Sequence, residues 1–243
     1  MSSAVDFMRR LSRKGAFWPL AMLGLLLFFN LVTNPAFFSV TLRDGHLYGS
    51  VIDILNRASP LMIIAMGLTL VIATHGIDIS VGAVVAISGA VAAALIGGEL
   101  VLSGGTGMED VTQYPMPTVI FGALGVALVF GMWSGALVSW LGMQPIIATL
   151  ILLVMGRGVA QLITNGQIIT IYYSPYYVIG NGFFLGIPVS LFIVAGVGAV
   201  LWLLTRKTAL GMFVEAVGIN PVASRLAGIR ARTITFACYA VCG

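Results

Sequence analysis

Few side chains in this sequence can do chemistry, and they gather at three places. The first is THGIDISVG, residues 74–82, where His75, Asp78 and Ser80 interrupt two apolar runs. The second is GRGVAQLITNGQ, in which Arg157, Gln161, Thr164 and Asn165 recur at i, i+4, i+7 and i+8. In a helix that spacing puts them on one face. The third is TRKTALGMFVEAVGINPVASRLAGIRART, which carries Glu215, Arg225, Arg230 and Arg232. No G-x-x-x-x-G-K-[ST] occurs, so the chain has no P-loop to cradle nucleotide phosphates. There is no H-E-x-x-H and no facing acidic pair, and His46 and His75 lie far apart. No catalytic residue, metal site or cofactor is expected. Cys238 and Cys242 sit four apart in an apolar stretch, where helical geometry disfavours a bridge, and they are expected to be packing residues.

What must position these groups follows from composition. The chain is 59% apolar and 8% charged, with mean hydropathy +1.07. A soluble domain carries about 25% charged residues, so this one cannot cover itself with a polar surface. The expected fold is all-α: a polytopic helical membrane protein. Spans are expected at 16–32, 59–73, 81–97, 118–141, 146–164 and 187–204, with a seventh starting near Thr233. The segment 233–243 is too short to cross roughly 30 Å of hydrocarbon, so the chain is expected to end inside a span. The net charge of +4 sits mostly in two clusters, which set orientation and do not point to nucleic acid. The positive-inside bias places residues 1–15 in the cytoplasm, 16–205 in the membrane and 206–232 in the cytoplasm again. Six crossings between the two clusters satisfy that parity. Loops 34–58, 98–117 and 166–186 then fall outside. In the first, SVIDILNRA reads as a short amphipathic helix capped by Ser50 with Asp53 as partner. In the last, Tyr172, Tyr173, Tyr176 and Tyr177 read as an interfacial aromatic belt or a sugar-stacking surface.

Within this frame each polar stretch has two readings. Gly76 is expected to end one helix, and Asp78 or Ser80 to cap the next. Broken helices are tolerated in membranes where they line a cavity or are buried in protein; the alternative is a capped turn at the cytoplasmic surface. A charged residue inside a span is costly unless it faces water or a partner. The Arg157 stripe therefore either forms a polar track for a hydroxylated solute or is an arginine buried against backbone carbonyls. Asn220-Pro221 is a helix start and Gly228 a stop. They bracket a short helix, 221–227, whose Ala223, Ser224 and Ala227 permit close approach of another surface. The alternative is a plain loop.

At these residues the sequence resembles a known family. GLTLVIATHGIDISVGAVVAISGA is similar to the signature of sugar ABC importer permeases of the ribose, xylose and galactoside branch. ATLILLVMGRGVAQLITNGQ resembles the family's central span, and FVEAVGINPVASRLAGIR its coupling loop. IDILNRASP and GRGVAQLITNGQIIT look most like the galactofuranose importers. The resemblance runs in order along nearly the whole chain. It implies a bacterial inner-membrane transport subunit and not an enzyme. Its implied partners are an ABC ATPase subunit, a periplasmic sugar-binding protein and a second permease chain. Gly76, Ile77, Asp78, Ser80, Val81 and Gly82 match the signature. Gly218, Asn220, Ala223, Gly228 and Ile229 match the coupling loop, in which Glu215, Pro221 and Arg225 also lie. His75 stands where the family commonly has glycine, and Ser224 where it often has alanine. Family permeases continue through further spans. An ion-coupled transporter or facilitator is the competing reading. A membrane enzyme acting on lipid-linked sugars would need an acidic or histidine cluster at one interface, and the sequence offers none.

Overall fold

The computed structural model describes residues 17–43, 46–97, 100–102, 108–110, 114–171 and 173–243. The segment 1–15, expected to be cytoplasmic, lies outside them. The chain divides into two compact units, residues up to 57 with 184–187, and the remainder.

In the first unit α1 (Phe17–Thr33) leads through a 3-10 turn (Pro35–Phe38) into a hairpin of β1 (Thr41–Arg43) and β2 (His46–Tyr48). No residue of α1 is buried within the chain. Next comes α2 (Ser50–Ala73), one continuous helix of 24 residues. The separate amphipathic helix expected at 50–58 is instead its first two turns, and Pro60 lies inside it without ending it. Gly49 occupies the cap in place of Ser50, its carbonyl accepting from Asp53 N–H at 3.0 Å. Asp53 pairs with Arg57 at 2.8 Å, one turn on, an exposed i,i+4 pair of small worth.

The second unit holds α3 (Val81–Ile96), α4 (Met116–Ser139), α5 (Pro145–Ile163), α6 (Ser174–Asn181), α7 (Val189–Lys207), α8 (Ala209–Ile219), α9 (Pro221–Leu226) and α10 (Ala231–Cys242). Short hairpins, β3 (Leu100–Leu102) with β4 (Met108–Asp110) and β5 (Phe183–Phe184) with β6 (Ile187–Pro188), fall in the connections. Proline in the first turn of α4, α5 and α9 sets the helical φ where no N–H partner is needed.

Helix α3 is the centre of this unit and packs on both α4 and α5. Its buried side is mostly alanine: Ala83, Ala90, Ala92 and Ala93, with Val84, Ile87 and Ile96. Small residues let backbones approach where lipid supplies no hydrophobic drive. At Gly156 of α5 an added Cβ would stand 3.0 Å from the Ala83 Cβ. Val84, Ala127 and Leu152 form one core cluster, and Ala92, Ile96 and Val119 another. Tyr173 and Tyr176 are half-buried and pack against the second cluster. Tyr177 is exposed, and Tyr172 lies outside the described residues.

Among the described residues, four helices are long and apolar enough to cross a membrane by length and composition: α2, α4, α5 and α7. With 17 and 16 residues, α1 and α3 are apolar but shorter. At 1.5 Å per residue, 16 residues rise only about 24 Å. The chain is a helical membrane protein, as its composition predicts. Cys238 is buried, Cys242 half-buried, and both are free, in keeping with the expected packing role.

Candidate functional site

The interruption between α2 and α3 is built from both ends. At the end of α2, His75 N–H donates to Ile72 O at 3.0 Å and Gly76 N–H to Val71 O at 2.9 Å. These two bonds, 5→2 and 6→1, make a Schellman motif. Its left-handed position is His75, with φ of 59°. The expected breaker, Gly76, is not the residue that turns the chain. It supplies space instead: an added Cβ would lie 2.7 Å from the Tyr239 hydroxyl and 2.8 Å from Val71 Cγ1.

From Gly76 the chain runs without regular structure to Ser80, which stands at the N-cap of α3 but makes no side-chain cap bond. The expected capping role falls differently. Asp78 Oδ1 accepts from Ser80 N–H at 2.9 Å and from the Ser80 hydroxyl, an Asx turn that holds the entry to α3. A carboxylate here also suits the positive end of the helix. Ser80 is fully buried and Asp78 partly so.

Helix α10 closes one side of the gap. The Tyr239 hydroxyl donates to Ile77 O at 3.2 Å, and Tyr239 is itself fully buried. The Cys242 thiol lies beside the Asp78 carboxylate. Tyr239 is eight residues into α10, about 12 Å from its start, so helix flanks the break on this side. Below it, α8 abuts the end of α2: a Cβ on Gly218 would clash with the Ala73 carbonyl. On the other side Ile77 and Ile79 are exposed, at 47% and 40%. Gly82, in the first turn of α3, has open space around it.

The second polar stretch comes together only in part. Arg157 and Gln161 share an exposed face of α5. Thr164 is already the C-cap, its hydroxyl within reach of Ala160 O at 3.2 Å and Gln161 O at 3.3 Å. Asn165 has left the helix with φ of 52°. Asn165 N–H to Leu162 O and Gly166 N–H to Gln161 O form a second Schellman motif. The expected four-residue stripe is therefore two residues and a cap, because the helix stops one residue before Thr164. No hydrogen bond or ion pair joins Arg157 to Asp78.

The third stretch folds as two helices where one was expected. Helix α8 is apolar, and Thr208 caps it by accepting from Leu210 N–H at 3.2 Å. Glu215 is on its exposed side. Asn220 then caps α9: its Oδ1 accepts from Val222 and Ala223 N–H, both at 3.0 Å. Gly228 ends α9 with φ of 87° in a third Schellman motif, Ile229 N–H to Ser224 O and Gly228 N–H to Arg225 O. The start at Asn220-Pro221 and the stop at Gly228 are as expected. Ser224 is not on the outer face. It is buried, and its hydroxyl lies 2.8 Å from Ala216 O and 2.9 Å from Asn220 O, which pins α9 onto α8. Ala223 and Arg225 are exposed. So are Ile219, Val222 and Leu226, at 85%, 65% and 87%, an apolar strip that a reading centred on small residues overlooks. Asn220→Ala should cost about 1 kcal/mol, read as a lower midpoint of thermal unfolding in detergent, whereas Asn220→Asp should hold the wild-type midpoint.

Comparison with known proteins gives these features a family. Over 231 residues the chain is 47% identical to the galactofuranose transporter permease protein YtfT of Escherichia coli K12, covering 93% of this chain and 64% of that protein. It is 38% identical over 244 residues to the fructose import permease protein FruF of Bifidobacterium longum, covering 98% of this chain and 65% of the other. With the ribose import permease protein RbsC of Escherichia coli K12 the figures are 31%, 86% and 60%. The chain thus spans just under two thirds of the length of these relatives. No solved structure matches it significantly. The match of residues 50–243, from the start of α2 through α10, to the family described as branched-chain amino acid transport system / permease component shows that this chain belongs to that permease family.

Proposed function

We propose that this chain is the membrane-spanning permease subunit of an ATP-driven bacterial sugar importer, with a monosaccharide such as galactofuranose as its cargo. The relatives' names support the sugar class. In this reading the protein sits in the inner membrane with its amino terminus and α8–α9 in the cytoplasm. It has no nucleotide site of its own. An ABC ATPase subunit hydrolyses ATP, a periplasmic binding protein delivers the sugar, and a second permease chain, identical or different, completes the pathway. Residues 16–205 are the transmembrane core and 206–232 the coupling segment.

The pathway in this reading passes the break at residues 76–82 and the exposed face of Arg157 and Gln161. The Arg157 guanidinium pairs with no described residue, and on a membrane helix it needs water or a partner beside it. A translocation path shared with a second chain supplies both. Thr164 and Asn165 shape the end of that helix.

The observation that carries the proposal is α9. It is capped by Asn220, stopped by Gly228 and pinned by Ser224, so it can move as a rigid piece. It also presents Val222 and Leu226 outward beside Ala223 and Arg225, with Ile219 at the end of α8 next to them. In this reading α9 is the coupling helix that seats in a groove of the ATPase. Glu215 and Gly218 belong to its supporting helix. Ala223→Trp should overpack that seat at a cost of about 1–3 kcal/mol. The expected result is loss of ATPase in a pull-down, together with loss of sugar-stimulated hydrolysis. If both survive, α9 is not the coupling helix and transport energy enters elsewhere. Uptake that follows an ion gradient without ATP would instead favour a secondary transporter.

A further inference from the structure

The turn between α9 and α10 opens onto a recess of about 510 Å³ lined by Trp140, Arg225, Gly228, Ile229, Arg230, Ala231, Arg232 and Thr233. Three of its eight lining residues are arginine and none is acidic. All three guanidinium side chains are exposed, and none is paired with a described carboxylate. The fourth large side chain is Trp140, at the C-terminal end of α4. Its ring stacks on Phe236 at 4.9 Å and 11°, while 59% of the residue remains open. Exposed Leu141 follows it.

These features specify a ligand class. Guanidinium forks match phosphate oxygens in two-bonded geometry. Three unpaired cations with no carboxylate among them call for an anion. Tryptophan concentrates at the membrane–water boundary, where its ring meets acyl chains and its N–H meets headgroups. Here the ring is held in place by Phe236 at the level where one helix of the core ends and the next begins. A phosphate flanked by acyl chain is the anion that both walls fit together.

We propose that this recess binds the phosphodiester headgroup of an anionic phospholipid, held by Arg230 and Arg232 with Trp140 against the glycerol and upper acyl region. This goes beyond the transport reading, since it needs neither sugar nor ATPase. Arg225 completes the far wall and brings the lipid beside α9.

The test is native mass spectrometry of the full chain released from mixed phosphatidylglycerol and phosphatidylcholine nanodiscs. The wild type should retain phosphatidylglycerol in preference to phosphatidylcholine, and raising salt should release the anionic lipid first. Arg230→Gln with Arg232→Gln should cut that preference by about tenfold or more, given what each basic residue near a charged bilayer contributes. Lysine at both positions should recover only part of it, because an ammonium keeps the charge and loses the guanidinium fork. Arg206→Gln with Lys207→Gln should leave it unchanged, since those residues do not line the recess. The proposal is overturned if the wild type shows no preference, or if both glutamine pairs lower it equally, which is general surface charge. It is overturned too if inorganic phosphate displaces the lipid where chloride at the same ionic strength does not, which makes free phosphate the ligand. Loss of ATPase binding with lipid retention unchanged would make the recess a protein contact and overturn it as well.

Discussion

Gly131→Leu is expected to leave the chain unable to reach a monodisperse folded state in detergent. Gly131 and Gly135 lie one turn apart on the face of α4 that receives α10. A Cβ on Gly131 would stand 2.8 Å from Tyr239 O and 2.9 Å from Gly243 Cα. On Gly135 it would stand 3.0 Å from Phe236 O. These neighbours are backbone, so no side chain can rotate out of the way, and the whole helix must move. Leucine adds three more carbons, and the cost should exceed the roughly 1–3 kcal/mol of ordinary overpacking. Displacing α10 also withdraws Tyr239 from Ile77 and separates Phe236 from Trp140, so three contacts fail together. Size-exclusion chromatography and thermal unfolding read the result. Gly131→Ala should lie between wild type and leucine. A Gly131→Leu protein that elutes and melts like wild type would show that α4 and α10 do not meet as described.

Asp78→Leu is expected to abolish uptake, while Asp78→Asn should retain much of it. The Asp78 Oδ1 accepts from both the N–H and the hydroxyl of Ser80, and an asparagine carbonyl oxygen can accept the same two. Leucine accepts neither, and Ser80 is buried at 1% exposure. Each orphaned buried polar group costs about 1–3 kcal/mol, enough to reshape the entry to α3. The comparison is uptake of labelled sugar by cells producing equal amounts of each variant with its partners. If asparagine is as inactive as leucine, the negative charge itself is needed, and a role toward solute or cation replaces the turn.

Much of the fold is legible in the sequence because apolar runs and basic clusters are strong signals. The helices of the core all lie where the runs are. What was hidden has identifiable causes. SVIDILNRA reads as a separate short helix, yet Pro60 after it does not end α2, although a proline inside a helix removes one N–H. The run ALGMFVEAVGI between basic clusters reads as connection, although Thr208 as a cap could have revealed α8. A helix terminus shifted by one residue moves Thr164 and Asn165 out of the stripe. The three left-handed positions, His75, Asn165 and Gly228, close the same motif in the three polar stretches. Only Gly228 announces itself, because glycine is the usual residue there. His75, where the resemblance implies a glycine, is the one position of the break with a positive φ. A histidine pays a backbone cost there that glycine would not. Nothing local could have paired residue 77 with residue 239.

That last pairing has a consequence for how the protein is made. The hydroxyl that meets Ile77 O arrives 162 residues later in the chain. During synthesis α2 and α3 enter the membrane long before Tyr239 leaves the ribosome. Until α10 docks, the Ile77 carbonyl must be served by water or by a transient protein neighbour, since bare hydrocarbon cannot satisfy it. The break at residues 76–80 is thus completed late, and an assembly stalled before α10 would expose it. Such half-built intermediates, with a polar backbone on an otherwise greasy surface, are the species that membrane quality control can recognise and remove.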